Sequence, residues 1–165
     1  MAQVENRLDR LEAIEEIRQL KARYFRFLDT KDAAGMLTVF CRDAVFDCRS
    51  VFAAEDSAYP GAAAASNWVF EGNRRITDFV LKPLRGWVSV HHGHCHEITI
   101  DSADEAHGVI AMEDAIRSPD GKLHTLWGCG HYHDLYRRED DVWRIARSTI
   151  TRLFADSNLS GWPIN

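Results

Sequence analysis

A chain of 165 residues that is 45% hydrophobic and 27% charged has the balance of one globular domain with a real core, not of a disordered or membrane protein. Its formal net charge is −5, and its Lys and Arg residues are scattered. The basic stripe that a phosphate backbone requires is missing, which argues against nucleic acid as a partner.

Charged residues from Glu5 to Arg18 leave no room for a secretory apolar region, and no apolar run approaches the ~18 residues of a membrane span. Cys41, Cys48, Cys95 and Cys129 form no CxxC pair. Reduced thiols in a cytoplasmic protein without membrane partners are the expectation.

Apolar residues at Val4, Leu8, Leu11, Ile14, Ile17, Leu20, Tyr24 and Leu28 step by three and four, predicting one long amphipathic helix. Thr30-Lys31-Asp32 breaks it, and Asp32 to Phe40 predicts a short second helix. Ala44–Phe52 (AVFDCRSVF) reads as a strand. Residues 53–67, small side chains around a Pro-Gly turn, read as a loop or lid. Asn73 is placed to cap a helix whose apolar face is Ile76, Phe79, Val80 and Leu84.

From there the chain is β-rich: strands over 87–100, 107–117, 123–138 and 142–154, separated by short turns at DSADEA, SPDGK and EDD, with a tail over 155–165. Short turns between long neighbouring segments predict antiparallel hairpins. Helices first and a meander after make a single α+β domain over 1–165, with helices on one face of a curved sheet and a hollow between them.

SVHHGHCHEITID (89–101) is the most unusual stretch. In a regular strand His92, His94 and His96 share one face while His91, Cys95 and Glu97 take the other. Alternate strand positions lie ~6.6–7 Å apart, wide for ligands of one tetrahedral ion. A site shared with the second HxH, His131 and His133, is conceivable. Ordinary occupancy of a polar strand face is the simpler reading.

The run AIEEIRQLKARYFRFLDTKD, then VHHGHCHEITIDS, then Glu113-Asp114 ahead of SPDGK, then YRREDDVWRI, resembles the SnoaL-like family of the nuclear transport factor 2-like superfamily. The likeness runs from about Leu11 to Phe154. It is greatest to bacterial bile-acid 7α-dehydratase, with less shared with scytalone dehydratase and hexachlorocyclohexane dehydrochlorinase. It implies an α+β cone, often a homotrimer, that carries out eliminations or isomerisations without metal or organic cofactor.

Matched position by position, the resemblance makes Tyr24, Asp29, His91, Asp114 and Arg152 catalytic. Asp29 and His91 form a base dyad, Tyr24 and Asp114 serve the leaving group, and Arg152 serves the anionic or carbonyl side. Cys48 stands where both dehydratases carry tyrosine. Cys48, Phe52, Trp127 and Tyr132 are expected to contact substrate, with other aromatic residues (Phe25, Phe46, Phe70, Trp87, Phe154) available for an apolar wall. The implied function is a lyase, dehydratase-like, acting on a hydrophobic steroid-like or aromatic small molecule. The alternatives are an isomerase or cyclase, another lyase releasing halide or formaldehyde, a metalloenzyme, or a non-catalytic binding or assembly module.

Overall fold

A computed structural model of the chain describes residues 2–52, 68–119 and 124–157. The expected loop or lid at 53–67 and most of the 155–165 tail lie outside them. Residues 155–157 are not tail, because they continue the last strand.

The first helix, α1, spans Ala2–Thr30. Its stripe becomes buried only from Ala13 onward, through Ile17, Leu20, Tyr24 and Leu28, whereas Leu8 and Leu11 are exposed. Lys31, in the left-handed conformation at φ 57, ends it. Asp32 then caps α2 (Ala33–Val39) by accepting a bond from the Gly35 N–H at 2.9 Å.

Strand β1 runs Phe40–Asp47, and Arg49–Phe52 is a single helical turn, α3. The expected strand over Ala44–Phe52 is thus displaced toward the N-terminus. Pairing decides this: Phe40 aligns with Ile145, and Val45 to Asp47 align with Arg147 to Thr149. Strand β2 (Val69–Glu71) precedes α4 (Asn73–Leu81) and a 3-10 turn at Lys82–Leu84. Asn73 does not cap α4. Gly72, at φ 85, takes the cap position, and the Asn73 amide donates to the Leu37 carbonyl instead.

The remaining strands are β3 (Val88–Ile100), β4 (Glu105–Arg117), β5 (His124–Glu139) and β6 (Val142–Ser157). Asp140 and Asp141 both take positive φ, the geometry of a two-residue hairpin turn between β5 and β6. The sheet order is β2-β1-β6-β5-β4-β3, antiparallel throughout except for the β1–β6 pair. Helices pack on one face, giving the expected helices-on-curved-sheet α+β cone. Among the described residues no helix is long and apolar enough to cross a membrane.

Two irregularities set which side chains face the helices. Between Gly93 and His96, β3 spends three steps against two on β4, a bulge that reverses the alternation. His91 and Gly93 face inward, His92 and His94 face out, and after the bulge His96 faces inward again. The expected grouping of His92, His94 and His96 is therefore overturned. A second shift, between Cys129 and Gly130, aligns Gly130 with Arg152 and Cys129 with Phe154. Arg152 consequently points inward while Phe154 joins Trp127 on the outer face, ring centroids 5.1 Å apart.

Candidate active site

Asp29 sits in the last turn of α1, beside the start of β3. Its Oδ1 lies 2.6 Å from His91 Nδ1, and its Oδ2 accepts the His91 backbone N–H at 2.9 Å. Ser89, two residues earlier on the same strand face, donates to Oδ1 at 3.0 Å. Lys31 reaches back to bond the Ser89 hydroxyl at 2.6 Å and the Asp29 carbonyl at 2.9 Å. Burial raises the Asp29 pKa, but the bonds and charge from His91 and the bond from Ser89 outweigh it, leaving the carboxyl below its usual 3.8. An ionised Asp29 fixes the proton on Nδ1, so Nε2 offers its lone pair.

His91 lines a cavity of about 440 Å³ between α1, α4 and the sheet. Across the pairing row from His91 lies Asp114, on β4, and next to it Gly128, on β5. Asp114 accepts two bonds from Arg152, at 2.8 and 2.6 Å, with both side chains largely buried. A Cβ at position 128 would meet Arg152 Nη1 at 2.9 Å and Asp114 Oδ1 at 3.2 Å. The glycine is what leaves room for this pair.

Tyr24 and Tyr132 enter the same cavity, their rings packed edge-on with centroids 5.8 Å apart. Burial pushes both phenols well up from their usual 10.0, so they remain protonated donors. Cys48 also lines the cavity, and burial drives its thiol upward, making it a neutral neighbour rather than a nucleophile.

Behind the tyrosines, fully buried Lys21 bonds Asp134 at 2.7 Å. Its ammonium lies 3.6 Å from the Tyr132 ring centroid and 4.6 Å from that of Tyr24.

Tyr24, His91, Asp114, Arg152, Cys48 and Tyr132 therefore converge on one cavity, with Asp29 behind His91. Trp127 does not. It stands on the outer sheet face, 42% exposed, and donates to Glu113 at 2.8 Å. The Phe52 side chain lies outside the described residues. Trp68, Phe79 and Arg75 line the cavity but were not among the expected contacts. Only Ser89 had a usable signal, its shared strand face with His91.

The outer histidines do not converge. His92 and His94 have ring centroids 6.0 Å apart, and His131 and His133 are 6.2 Å apart on their own strand. Among the described residues the one group of ligand atoms close enough to share an ion is Cys41, Asp43 and Glu139. Arg137 bonds Asp43 at 2.5 Å, and Arg137 and Arg144 each approach Glu139 to 3.7 Å. Those carboxylates are already neutralised by guanidinium groups.

Helices folded on a curved sheet around an apolar cavity with a polar base make a cone of the nuclear transport factor 2-like kind. The model of the SnoaL-like domain matches residues 9–149, and the chain belongs to that family. Solved structures of similar fold include hexachlorocyclohexane dehydrochlorinase LinA-type3 from Novosphingobium barchaimii LL02, with 18% identity, 93% of this chain and 94% of that one covered, and a TM-score of 0.71. A protein provisionally named scytalone dehydratase, from Novosphingobium aromaticivorans DSM 12444, has 15% identity, 92% and 91% coverage, and a TM-score of 0.72.

Proposed function

We propose that the chain is a lyase that eliminates water from a hydrophobic cyclic small molecule, steroid-like or aromatic, using groups of its own as base and donors. The observation that carries this is the 2.6 Å contact from Asp29 to His91 Nδ1, which leaves Nε2 to an apolar cavity. His91 takes a proton from a carbon next to a carbonyl, and Asp29 stabilises the imidazolium that forms. The electron pair passes to the carbonyl oxygen as an enolate, facing Arg152, which Asp114 holds in place. Collapse of the enolate expels the hydroxyl group as water, with the proton given by Tyr24 or Tyr132 of the cavity wall; the proton taken up by His91 then restores the phenol, so the cycle closes with neutral imidazole.

Asp114 was expected to serve the leaving group directly. With both oxygens accepting from Arg152, its better role is to orient that guanidinium. Loss of halide uses the same base without the proton donors, and the dehydrochlorinase fold neighbour favours it as the second reading. Assembly as a homotrimer goes with the proposal.

The test is a screen of 7-hydroxy-3-oxo-4-ene steroids (in which the double bond relays the carbonyl to carbon 6), hydroxylated aromatics and chlorinated rings for new ultraviolet-absorbing conjugation. With a substrate found, Asp29→Asn and His91→Ala are each expected to lower kcat by about 10²–10⁴. Unchanged turnover in both would sink the mechanism and leave the binding-module alternative.

A further inference from the structure

Charges along the cavity wall are arranged unevenly. Among the described residues its lining holds three cations, Arg75, Lys82 and Arg152, and two carboxylates, Asp78 and Asp114. Asp114 is taken by Arg152 through two bonds, and Asp78 by Lys82 at 3.0 Å. Arg75 is the third cation, and among the described residues it makes no ion pair. In a chain of net charge −5 the described lining of this pocket thus carries a positive excess.

The position of that excess is specific. The exposed members of the lining are Arg75, Asp78 and Lys82, all on α4 and the turn after it, while every other lining residue is buried or half-buried. Arg75 therefore marks the open end, and the buried His91, Tyr24 and Tyr132 mark the other. Its guanidinium carbon lies 5.6 Å from the Phe70 ring centroid, and Phe70 itself stacks on Phe79 at 3.8 Å with an interplanar angle of 18°. A guanidinium held near an aromatic ring by a cation–π contact, with no carboxylate partner, keeps N–H groups with which to meet a planar oxyanion through two parallel bonds. A cation without an ion-pair partner at the mouth of an apolar pocket also concentrates the field that draws anions in.

We infer that the substrate carries an anionic group, of the carboxylate class, that rests on Arg75 at the mouth while its apolar ring body occupies the interior. This rests on the reading of the cavity as the substrate site and adds a ligand class to it. An uncharged steroid or phenol would leave Arg75 without a role in recognition.

The test uses ω-(2-naphthyl)alkanoate anions, namely 2-naphthylacetate, 4-(2-naphthyl)butanoate and 6-(2-naphthyl)hexanoate, each beside its neutral carboxamide, titrated calorimetrically into the full chain at low salt. At the chain length that spans from interior to mouth, the carboxylate is expected to bind about tenfold tighter than the amide, close to 1.4 kcal/mol. The preference is expected to shrink as NaCl is added, to vanish in Arg75→Gln and to survive in part in Arg75→Lys.

Equal affinity of acid and amide at every chain length, or a preference that persists in Arg75→Gln, overturns the inference. If neither series binds, the cavity reading falls with it. The dyad is judged separately, by turnover in Asp29→Asn, so its failure and that of the anion site are told apart.

Discussion

Asp29 holds His91 at two points, the ring Nδ1 at 2.6 Å and the backbone N–H at 2.9 Å, so the carboxylate fixes both where the strand starts and how the imidazole turns. Ser89 completes the arrangement with a bond at 3.0 Å. Because the Asp29 pKa lies below 3.8, its stabilising contribution is present above that pH and is lost as pH falls through the folded-state value. Ser89→Ala removes one of the bonds that lower it. The variant is expected to lose about 1 kcal/mol at neutral pH. Its acid unfolding should begin at higher pH than that of the parent. Urea titrations between pH 2 and 6 check both, and an unshifted acid limb would refute the account.

Gly128 occupies the one position where a methyl group collides with the Arg152–Asp114 pair, at 2.9 Å from Nη1 and 3.2 Å from Oδ1. Gly128→Ala is therefore expected to destabilise by about 1–3 kcal/mol and to swing the guanidinium away from the cavity. If a substrate is in hand, kcat should fall more than affinity, since in the proposed mechanism the enolate is the species that Arg152 stabilises. A variant as stable and as active as the parent would show that the pair has slack the structure does not display.

These features differ in how well the sequence announces them. The three- and four-residue steps of α1 and the DSADEA and EDD turns between long β segments are local patterns; the helix forms as the steps predict, with its stripe buried from Ala13 onward, and both turns join antiparallel neighbours. The pairing of Asp29 with His91 rests on a resemblance that spans most of the chain, the contact itself joining residues 62 positions apart in sequence. The strand bulges were not legible. VHHGHCHE has no mark of one beyond Gly93, where a Cβ would fall 2.4 Å from Phe25, a tertiary fact. Missing the bulge put His96 on the wrong face. Missing its counterpart at Gly130 left Arg152 and Phe154 on one side of β6. Trp127 failed similarly, because aromatic character does not say which face of a sheet is covered. Arg75 was invisible because the approach of α4 to the cavity is set by packing, not by local propensity.

Lys21 and Asp134 form an ion pair with no side-chain exposure, and Asp134 also accepts from Tyr136 at 2.9 Å and Ser148 at 2.6 Å. Burial lowers the Lys21 pKa, with Asp134 opposing. Removing one partner strands the other charge, so Lys21→Met is expected to cost about 3–5 kcal/mol. Lys21→Met combined with Asp134→Leu should cost less than the two single changes added together. Denaturant unfolding of the four species gives the coupling directly. Strict additivity would mean the pair contributes nothing beyond its separate contacts.

Cys41 is buried on β1, and burial pushes its thiol up from 9.0 to about 11, against the opposing pull of Arg137. A group whose folded pKa is raised gives stability that is complete below its unfolded value and disappears as pH rises through the folded one. The protein should therefore weaken from pH 9 toward pH 11. Cys48, Tyr24, Tyr132 and Tyr136 are raised as well and act in the same direction, so the total slope does not isolate Cys41. The difference does. Cys41→Ala is expected to lower the unfolding midpoint at pH 8 through lost packing, yet to lose less on going to pH 10.5 than the parent does. Parallel pH profiles for the two proteins would show that the thiol titrates alike in the folded and unfolded chain, and that its burial in β1 has no electrostatic consequence.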